Sequence, residues 1–292
     1  MKMIHFGDLH VWNRTPMMWS ELYYPKRWLG PLNLLLHRSK FFPPAYRQAA
    51  MDAILAEEPD VAVFTGDFSS FSLKSEFEQA DELFAPLREK LGERLFAIPG
   101  NHDVYTTRVA RRRVLENSLP WVHTDLVTRL DLNDRLSLLG VNHSCPFLIA
   151  SNGKVTPEAQ ERLRAMFDVL NAEGRTVLLA GHYPYISPPE FPEANNHKLL
   201  GDDELAQVVK EGAPAVYMHG HHHIRWAVRP RITPETLCLN CGSVSMKHAR
   251  PDKQAGFLSW DQQDDGEVRN LTAHTYDGKS AWAKSPVDVR VI

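Results

Sequence analysis

The chain contains few cysteines and little net charge, and each shortage excludes a class of protein. Three cysteines stand among 292 residues, an odd number that does not suit a disulfide framework and is usual for reduced thiols in the cytosol. Cys238 and Cys241 form a single CxxC pair, without the second pair that a four-cysteine zinc site requires. The formal charge of −3 argues against a general polyanion-binding protein, although a local basic patch remains compatible with it.

Segments that would direct the chain into or across a membrane are also missing. An uninterrupted apolar run of about 18 residues, the length that spans a bilayer, does not occur. The first predicted strand begins within a few residues of Met1, which leaves no space for a secretory signal. Apolar content of 43% and charged content of 24% are typical of a globular protein. We therefore expect a cytoplasmic protein, and the length suits one large α/β domain.

Five short apolar runs each end in residues that can bind a metal ion. The runs lead into Asp8-Leu9-His10, Gly66-Asp67, Gly100-Asn101-His102-Asp103, Gly181-His182 and Gly220-His221-His222-His223. An apolar run of strand length closed by glycine is how a buried sheet presents polar side chains at one edge. Aspartate, asparagine and histidine without cysteine suit hard to borderline divalent cations. The pattern therefore predicts a dinuclear metal site, in which a carboxylate such as Asp67 bridges the two ions.

Strands alternate with helices in the first half of the chain, and short strands dominate the rest. The spacing of apolar residues predicts helices at 44–58, 72–90, 156–172 and 202–211. A hairpin is predicted from the runs at 127–132 and 136–141, with further strands at 224–228, 236–240, 256–260 and 268–275. This mixture predicts an α/β fold with two facing sheets flanked by helices. No linker divides the chain, so we expect one domain over residues 1–292.

Two segments interrupt this alternation. Residues 11–42 carry five lysines and arginines against the single acid Glu21, together with seven aromatic residues. We interpret this insert as a basic, aromatic cap packed on the domain; the alternative is a surface that contacts a lipid interface or an apolar, phosphorylated substrate. Residues 183–198 contain four prolines directly after His182. A long loop of this kind beside a site is typical of a binding loop or a lid.

Taken in order, the five polar segments resemble the complete signature of the calcineurin-like metallophosphoesterases, from residue 8 to residue 223. The resemblance implies a four-layer sandwich of two facing mixed β-sheets between helices. It implies one metal position formed by Asp8, His10, Asp67 and His223, and a second formed by Asp67, Asn101, His182 and His221. His222 would point away from both ions, as a packing or solvent-facing residue.

The same resemblance implies a reaction. A hydroxide that bridges the two ions would attack phosphorus in line, while the cations neutralise the developing charge. His102 corresponds to the family's histidine that protonates or hydrogen-bonds the leaving oxygen, and we expect Asp103 to orient it and to raise its proton affinity. Mixed aspartate, asparagine and histidine ligands suit manganese or iron, with zinc or nickel as alternatives.

The substrate stays open between several classes. The segments Ile98 to Asp103 and Gly220 to His223 resemble the bacterial cyclic-nucleotide phosphodiesterase branch, which favours a phosphodiesterase. The alternative is the lipid-handling branch, similar to UDP-2,3-diacylglucosamine pyrophosphatases; the basic aromatic insert favours it, whereas the best-known of those enzymes carry arginine where this chain has His102. The mildly acidic charge argues against a DNA nuclease. The complete ligand set argues against a non-catalytic scaffold.

Three residues outside the signature are candidates for substrate contact. His197 and Lys198, at the end of the proline-rich segment, could reach a substrate phosphate or sugar. Arg111 belongs to the run Arg111-Arg112-Arg113 on a predicted helix, where three adjacent residues cannot share one face. The alternative for this run is a solvated helix face. The expected ligand is a small-molecule or lipid-linked phosphate rather than a nucleic acid.

Overall fold

The computed structural model describes residues 1–12 and 41–292. The strands are β1 (Lys2–Phe6), β2 (Val61–Phe64), β3 (Leu95–Ala97), β4 (Val127–Asp131), β5 (Leu136–Val141), β6 (Gly153–Lys154), β7 (Thr176–Ala180), β8 (Leu199–Leu200), β9 (Val216–His219), β10 (Arg225–Arg229), β11 (Leu237–Cys241), β12 (Gly256–Gln262), β13 (Val268–Tyr276), β14 (Trp282–Pro286) and β15 (Val289–Val291). The helices are α1 (Pro44–Ala56), α2 (Lys74–Leu91), α3 (Thr107–Arg111), α4 (Val114–Ser118), α5 (Pro157–Ala172) and α6 (Asp202–Gly212). A 3₁₀ turn, Gly92–Arg94, follows α2.

The strands form two large mixed sheets and one small sheet. The first large sheet has the order β14-β13-β12-β1-β2-β3, the second has the order β15-β10-β11-β9-β7-β5-β4, and β6 pairs with β8. The central strands of each large sheet run parallel, since β1 pairs in parallel with β2 and β7 with β9. The hairpin predicted at 127–141 is present as the antiparallel pair β4–β5. Parallel central strands bring their carboxyl ends to the same edge of the sheet.

The two large sheets face each other across a shared apolar core. Phe96 and Trp260 of the first sheet lie in the same buried cluster as Leu178 and Met218 of the second. Alternate residues of the strands face outward, where helices cover them. The helices α1, α2 and α4 pack on the first sheet, and α5 and α6 pack on the second. The prediction of a four-layer sandwich, two mixed sheets flanked by helices, is confirmed.

The arginine run lies at a helix break rather than on one helix. Arg112 caps α3, and Arg113 has a left-handed φ of 50° before α4 begins. Each short helix buries one apolar residue, Val109 in α3 and Leu115 in α4. Residues six apart on a continuous helix point about 120° away from each other. The break therefore changes the direction of α4, so that the side chains of Val109 and Leu115 both reach the interior.

The two ends of the predicted insert lie close together. The indole nitrogen of Trp12 donates a hydrogen bond to the carbonyl of Phe42 at 3.0 Å, and Val11 pairs with Ser69 in an isolated β-bridge. Residues 13–40, which hold most of the cap predicted at 11–42, lie outside the described residues. Among the helices that the structure describes, none has the length and hydropathy required to cross a bilayer.

Candidate metal centre

The side chains predicted as metal ligands follow five strand ends and meet between the two sheets. Asp8 and His10 follow β1, Asp67 follows β2, Asn101 follows β3, His182 follows β7, and His221 and His223 follow β9. The first sheet thus supplies the aspartates, the asparagine and one histidine. The second sheet supplies the other three histidines. The structure brings all seven of these residues to one edge of the sandwich.

One group of ligand atoms is compact enough to bind a single ion. Asp8, His10, Asp67 and His223 each offer an atom, and these atoms all lie within 4.8 Å of one another. Nε2 of His10 is 2.8 Å from Nε2 of His223 and 3.7 Å from Oδ2 of Asp67. Nε2 of His223 is also 3.1 Å from Oδ1 of Asp8. This is the set that the sequence assigns to the first metal position.

A second group adjoins the first through Asp67. Oδ1 of Asn101 is 3.1 Å from Nε2 of His182 and 3.1 Å from Nδ1 of His221. Nε2 of His182 is 3.6 Å from the same Asp67 oxygen, Oδ2, that faces His10. Asp67 therefore stands between the two groups, where a bridging carboxylate has to stand.

Backbone carbonyls determine which histidine nitrogens can bind a cation. Nδ1 of His182 lies 2.6 Å from the carbonyl oxygen of Thr65, and Nε2 of His221 lies 2.7 Å from that of His197. A carbonyl only accepts, so each of these nitrogens carries the proton of the neutral ring. Burial lowers the pKa of His182 and lowers that of His221 well below 6.5. The opposite nitrogens, which face Asn101, therefore present bare lone pairs.

The donor chemistry of these residues fits divalent cations. In the second group the two bare nitrogens and the Asn101 oxygen converge, and three acceptors repel one another unless a positive charge stands among them. In the first group Oδ1 of Asp8 is buried and accepts no hydrogen bond from the described residues. A rotated Asn101 amide could donate to the two nitrogens, but Oδ1 of Asp8 would still accept no hydrogen bond, while Oδ2 accepts one from the His221 backbone nitrogen at 3.1 Å. A buried carboxylate oxygen that accepts no hydrogen bond is costly unless a cation compensates it.

The backbone at the ligands is held in an unusual conformation. Five ligands have positive φ, namely Asp8 at 54°, His10 at 48°, Asp67 at 64°, His221 at 71° and His223 at 52°. Non-glycine residues rarely adopt this left-handed region, and such residues cluster at functional sites. Hydrogen bonds from other segments stabilise it: the Ser243 hydroxyl donates to the Asp8 carbonyl at 2.7 Å, and the Arg47 guanidinium donates to the His10 carbonyl at 3.0 Å.

Two motif glycines are required by the close approach of ligand carboxylates. A Cβ atom on Gly100 would lie 2.2 Å from Oδ1 of Asp67. A Cβ atom on Gly220 would lie 2.5 Å from Oδ2 of Asp8. Both distances are well inside van der Waals contact, so a larger residue at either position would displace a metal-binding carboxylate.

The sequence model of the calcineurin-like phosphoesterase family matches residues 1–225. The chain belongs to this family. The matched span contains every predicted ligand and β1 to β9. A member of this family is a phosphoester hydrolase, and the group of Asp8, His10, Asp67 and His223 could hold a metal ion.

Solved structures of low sequence identity share the fold. A dimetal phosphatase from Danio rerio is 12% identical, covers 93% of this chain and 94% of its own, and superposes with a TM-score of 0.56. The protein TT1561 of Thermus thermophilus is also 12% identical, covers 94% of this chain and 98% of its own, and has a TM-score of 0.52. No curated protein matches the sequence significantly.

His102 lies against the first metal position of this phosphoesterase. Its ring centroid is 4.9 Å from that of His10, and its backbone nitrogen donates to Oδ1 of Asp67 at 2.8 Å. Its Nδ1 lies 2.8 Å from the carbonyl oxygen of Ser70, so Nδ1 donates and the ring orientation is set. While this bond holds, proton exchange with a substrate can occur only through Nε2.

Asp103 has a different role from the one predicted for it. Its carboxylate accepts hydrogen bonds from the backbone nitrogens of Gly100, Asp67, Phe68 and Ser69, at 2.9, 2.9, 3.2 and 3.0 Å. Burial raises the pKa of Asp103 to about 6, against the opposing effect of the Gly100, Ser69 and Phe68 hydrogen bonds. The prediction that Asp103 orients His102 is wrong, because the Ser70 carbonyl holds the imidazole and Asp103 ties two ligand loops together.

His222 points away from the two metal positions, as predicted. Its Nε2 lies 2.5 Å from Oε1 of Glu193, and its side chain is only 8% exposed. The contact joins the segment that carries His221 and His223 to residues 183–198. Nothing in the motif pattern of the sequence marks Glu193, because this residue lies in a segment identified only by its prolines.

The three predicted substrate contacts stand in different surroundings. His197 is exposed and lines a cavity of about 240 Å³ together with Phe191, Glu193 and His221. Nζ of Lys198 lies 4.0 Å from Oδ2 of Asp202, at the start of α6, so its charge is directed to that helix. Arg111 is exposed at the end of α3. Only His197 is placed beside a ligand of the metal centre.

Proposed function

We propose that this protein is a cytoplasmic phosphodiesterase that hydrolyses a small phosphodiester at a centre of two metal ions. The observation that carries the proposal is the placement of Oδ2 of Asp67 between His10 and His182, at 3.7 and 3.6 Å. Two ligand groups that share one carboxylate oxygen are the arrangement that a pair of ions requires. Manganese or iron suits these ligands best, with zinc or nickel as alternatives.

The protein's own side chains would position the substrate and the cations that neutralise its charge. When bound, the two cations would polarise the phosphate and lower the pKa of a water that attacks phosphorus. Asp8, His10, Asp67 and their partners would fix the positions at which the phosphate oxygens are held. Because five of the seven proposed ligands are buried and hydrogen bonds hold their segments, little reorganisation would accompany the reaction.

His102 would protonate the leaving oxygen. Its Nδ1 bond to the Ser70 carbonyl leaves Nε2 as the atom that exchanges a proton, and the ring stands beside His10 at the first metal position. An alkoxide is a poor leaving group until it is protonated, whereas a nitrophenolate leaves readily as the anion. General acid catalysis by His102 would therefore matter most for alkyl and nucleoside esters.

The cavity beside His221 would hold part of the substrate away from the reacting phosphorus. It measures about 240 Å³ and is lined by His197, Phe191 and Glu193. His197 would contact a sugar or phosphate from this position. Lys198 and Arg111 would take part only after a rearrangement that turns their side chains toward the metal centre.

A specific contact favours a second candidate, a pyrophosphatase of lipid-linked substrates at a membrane surface. Phe42, where the basic aromatic insert ends, places its ring centroid 4.9 Å from that of His10 and 5.8 Å from that of His223. The insert therefore begins and ends at the metal centre. An acyl chain held by aromatic residues of the insert would lie next to the reacting phosphate, in the manner of a UDP-2,3-diacylglucosamine pyrophosphatase.

The experiment that separates the candidates compares cyclic AMP with UDP-2,3-diacylglucosamine in detergent, at equal concentration and with manganese-loaded protein. Preference for cyclic AMP supports the phosphodiesterase, and preference for the lipid supports the second candidate. Bis(p-nitrophenyl) phosphate reports the chemistry independently of substrate recognition. Asp67→Ala, purified in parallel, controls for a contaminating hydrolase. If the metal-loaded parent cleaves none of the three substrates, the protein is a scaffold and both proposals fail.

A further inference from the structure

The proline-rich loop, residues 183–198, carries a carboxylate that contacts the His221–His223 segment of the metal centre. Oε1 of Glu193 lies 2.5 Å from Nε2 of His222 and 3.9 Å from Nε2 of His221. Oε1 of Glu193 and Nε2 of His222 are both buried, and neither atom makes a hydrogen bond among the described residues, so their pairing is a close electrostatic contact. A buried carboxylate oxygen requires a compensating partner, so the contact with His222 stabilises this position of the loop.

The same loop determines which ring nitrogen of His221 carries the proton. The carbonyl of His197, four residues beyond Glu193, accepts a hydrogen bond from the protonated Nε2 of His221 at 2.7 Å. This bond leaves Nδ1 of His221 bare and directed at Oδ1 of Asn101, 3.1 Å away. Without the carbonyl, the His221 proton could move to Nδ1, and the ring could rotate away from the second metal position. The loop therefore contributes to metal binding although it supplies no ligand atom.

The loop also makes contacts at places that are distant from the metal centre. Asn152 donates to the carbonyls of Asn195 and Lys198 at 2.9 and 2.8 Å, which fixes the end of the loop against the β6 segment. On the outer side Glu190 forms an ion pair with Arg290. The Asn152 contacts fix the carboxyl end of the loop, and the Glu190 contact fixes its middle on the outer side. Glu193 joins the loop to the His221–His223 segment.

We propose that Glu193 and His222 form a latch that holds the proline-rich loop against the His221–His223 segment and thereby completes the second metal position. Glu193 and His222 are positioning residues: they act through the His197 carbonyl and the orientation of His221. The proposal rests on the proposed function, since it concerns the second ion of the same centre. If the latch acts in this way, the second metal position depends on the loop and the first does not. Neither Glu193 nor His222 is a metal ligand.

The test measures manganese binding by equilibrium dialysis followed by metal analysis. Glu193→Ala removes the latch, and Glu190→Ala is the matched control, because Glu190 stands on the same loop and pairs away from the metal centre. For Glu193→Ala we expect one ion bound as in the parent and a second ion bound about 10–100-fold more weakly, the usual cost of losing a residue that orients a ligand. Glu190→Ala should bind both ions as the parent does.

A second variant approaches the latch from its other side. His222→Leu removes the imidazole and leaves the sequence of the loop unchanged. It should weaken binding of the second manganese ion to the same extent as Glu193→Ala. The double variant should be no weaker than either single variant, because the two residues form one contact. Excess manganese should restore the turnover of all three to the parent level. A general folding defect would instead weaken both ions and would not be restored.

Two results would overturn the latch, and they are distinguishable. Two equally tight manganese ions in the parent, in Glu193→Ala and in His222→Leu would refute the latch and leave the proposed function intact. A parent protein that binds no manganese would refute the latch and the dinuclear centre together.

Discussion

Three histidines at the metal centre each contact a backbone carbonyl through one ring nitrogen. The carbonyls belong to Thr65, His197 and Ser70, and the histidines are His182, His221 and His102. In each case the carbonyl accepts a hydrogen bond from one ring N–H and so determines which nitrogen faces the centre. For His182 and His221 that nitrogen faces a metal position. For His102 it is the atom proposed to exchange a proton with the substrate.

His102→Ala should separate metal binding from proton transfer. We expect both manganese ions to be retained, because the His102 ring is not among the proposed metal ligands. Turnover of an alkyl or nucleoside diester should fall by about 10²–10⁴-fold, the usual contribution of general acid catalysis. Turnover of bis(p-nitrophenyl) phosphate should fall much less, since nitrophenolate needs no proton to leave. Equal losses for both leaving groups, measured by steady-state kinetics, would refute the acid role.

Asp103→Ala should destabilise the fold rather than slow the chemistry alone. It removes the acceptor of four backbone N–H groups, and each buried donor left without a partner costs about 1–3 kcal/mol. We expect the free energy of unfolding in urea to fall by more than about 3 kcal/mol. Asp103→Asn keeps one oxygen acceptor and should lose less. A stable Asp103→Ala protein that has lost only turnover would restore the predicted orienting role.

The sequence identifies the ligands of the centre but not the groups that orient them. Aspartate, asparagine and histidine after apolar runs are visible as residue types, and the resemblance to the calcineurin-like metallophosphoesterases selects the seven proposed ligands among them. Thr65, Ser70 and His197 act through carbonyl oxygens, which every residue has, and no pattern marks them. Asp103 was misassigned for the same reason: its partners are backbone nitrogens, and its proximity to His102 in the chain suggested a contact that the turn does not make.

At the scale of elements, the carboxyl ends of the strands determine where the site lies. Parallel pairing of β1 with β2 and of β7 with β9 brings the ligand loops to one edge. This could be predicted from apolar runs closed by glycine. The break between α3 and α4 could not, because the helical signal of Arg111 to Arg113 is local, whereas the burial of both Val109 and Leu115 is a tertiary requirement.

His274 of β13 should make stability depend on pH in the mildly acidic range. Its ring stacks on Phe257 at 4.2 Å, and burial lowers its pKa from 6.5 to about 4, with Glu57 opposing the shift. The unfolded chain therefore takes up this proton at higher pH than the folded protein does, so stability present above pH 6.5 is lost as the pH falls toward about 4.

The variant that checks this dependence is His274→Gln, which keeps a polar atom near the Ser259 hydroxyl that His274 contacts at 2.8 Å. Urea unfolding of parent and variant between pH 7 and pH 4 would be compared under identical salt. We expect a smaller acid-induced loss of stability in His274→Gln. Parallel curves for the two proteins would show that another group titrates in this range.

At the scale of the whole molecule, the metal centre joins the two sheets. Asp8, His10, Asp67 and Asn101 follow strands of the first sheet, whereas His182, His221 and His223 follow strands of the second. Any ion bound in either group would be held by ligands from both sheets. Metal binding should therefore oppose separation of the two halves of the sandwich, and unfolding should release the ions.

Manganese should raise the thermal stability of the protein, and its removal should lower it. Free metal at a hundred times its dissociation constant adds about 2.7 kcal/mol to the free energy of unfolding for each site. We expect the melting temperature to rise with manganese concentration and to fall after chelation. Asp67→Ala, which lacks the shared ligand, should show little of this dependence. If the melting temperature of the parent does not change with manganese concentration, the metal centre does not join the two sheets as described.

The central claim is that two metal ions, shared through Asp67, perform phosphodiester hydrolysis. The most direct measurement is the rate of bis(p-nitrophenyl) phosphate hydrolysis as metal-stripped protein is titrated with manganese. The rate should be near zero in the stripped protein and should rise to a plateau that is reached with two equivalents of manganese. Full activity without metal, or a plateau at one equivalent, would contradict the account.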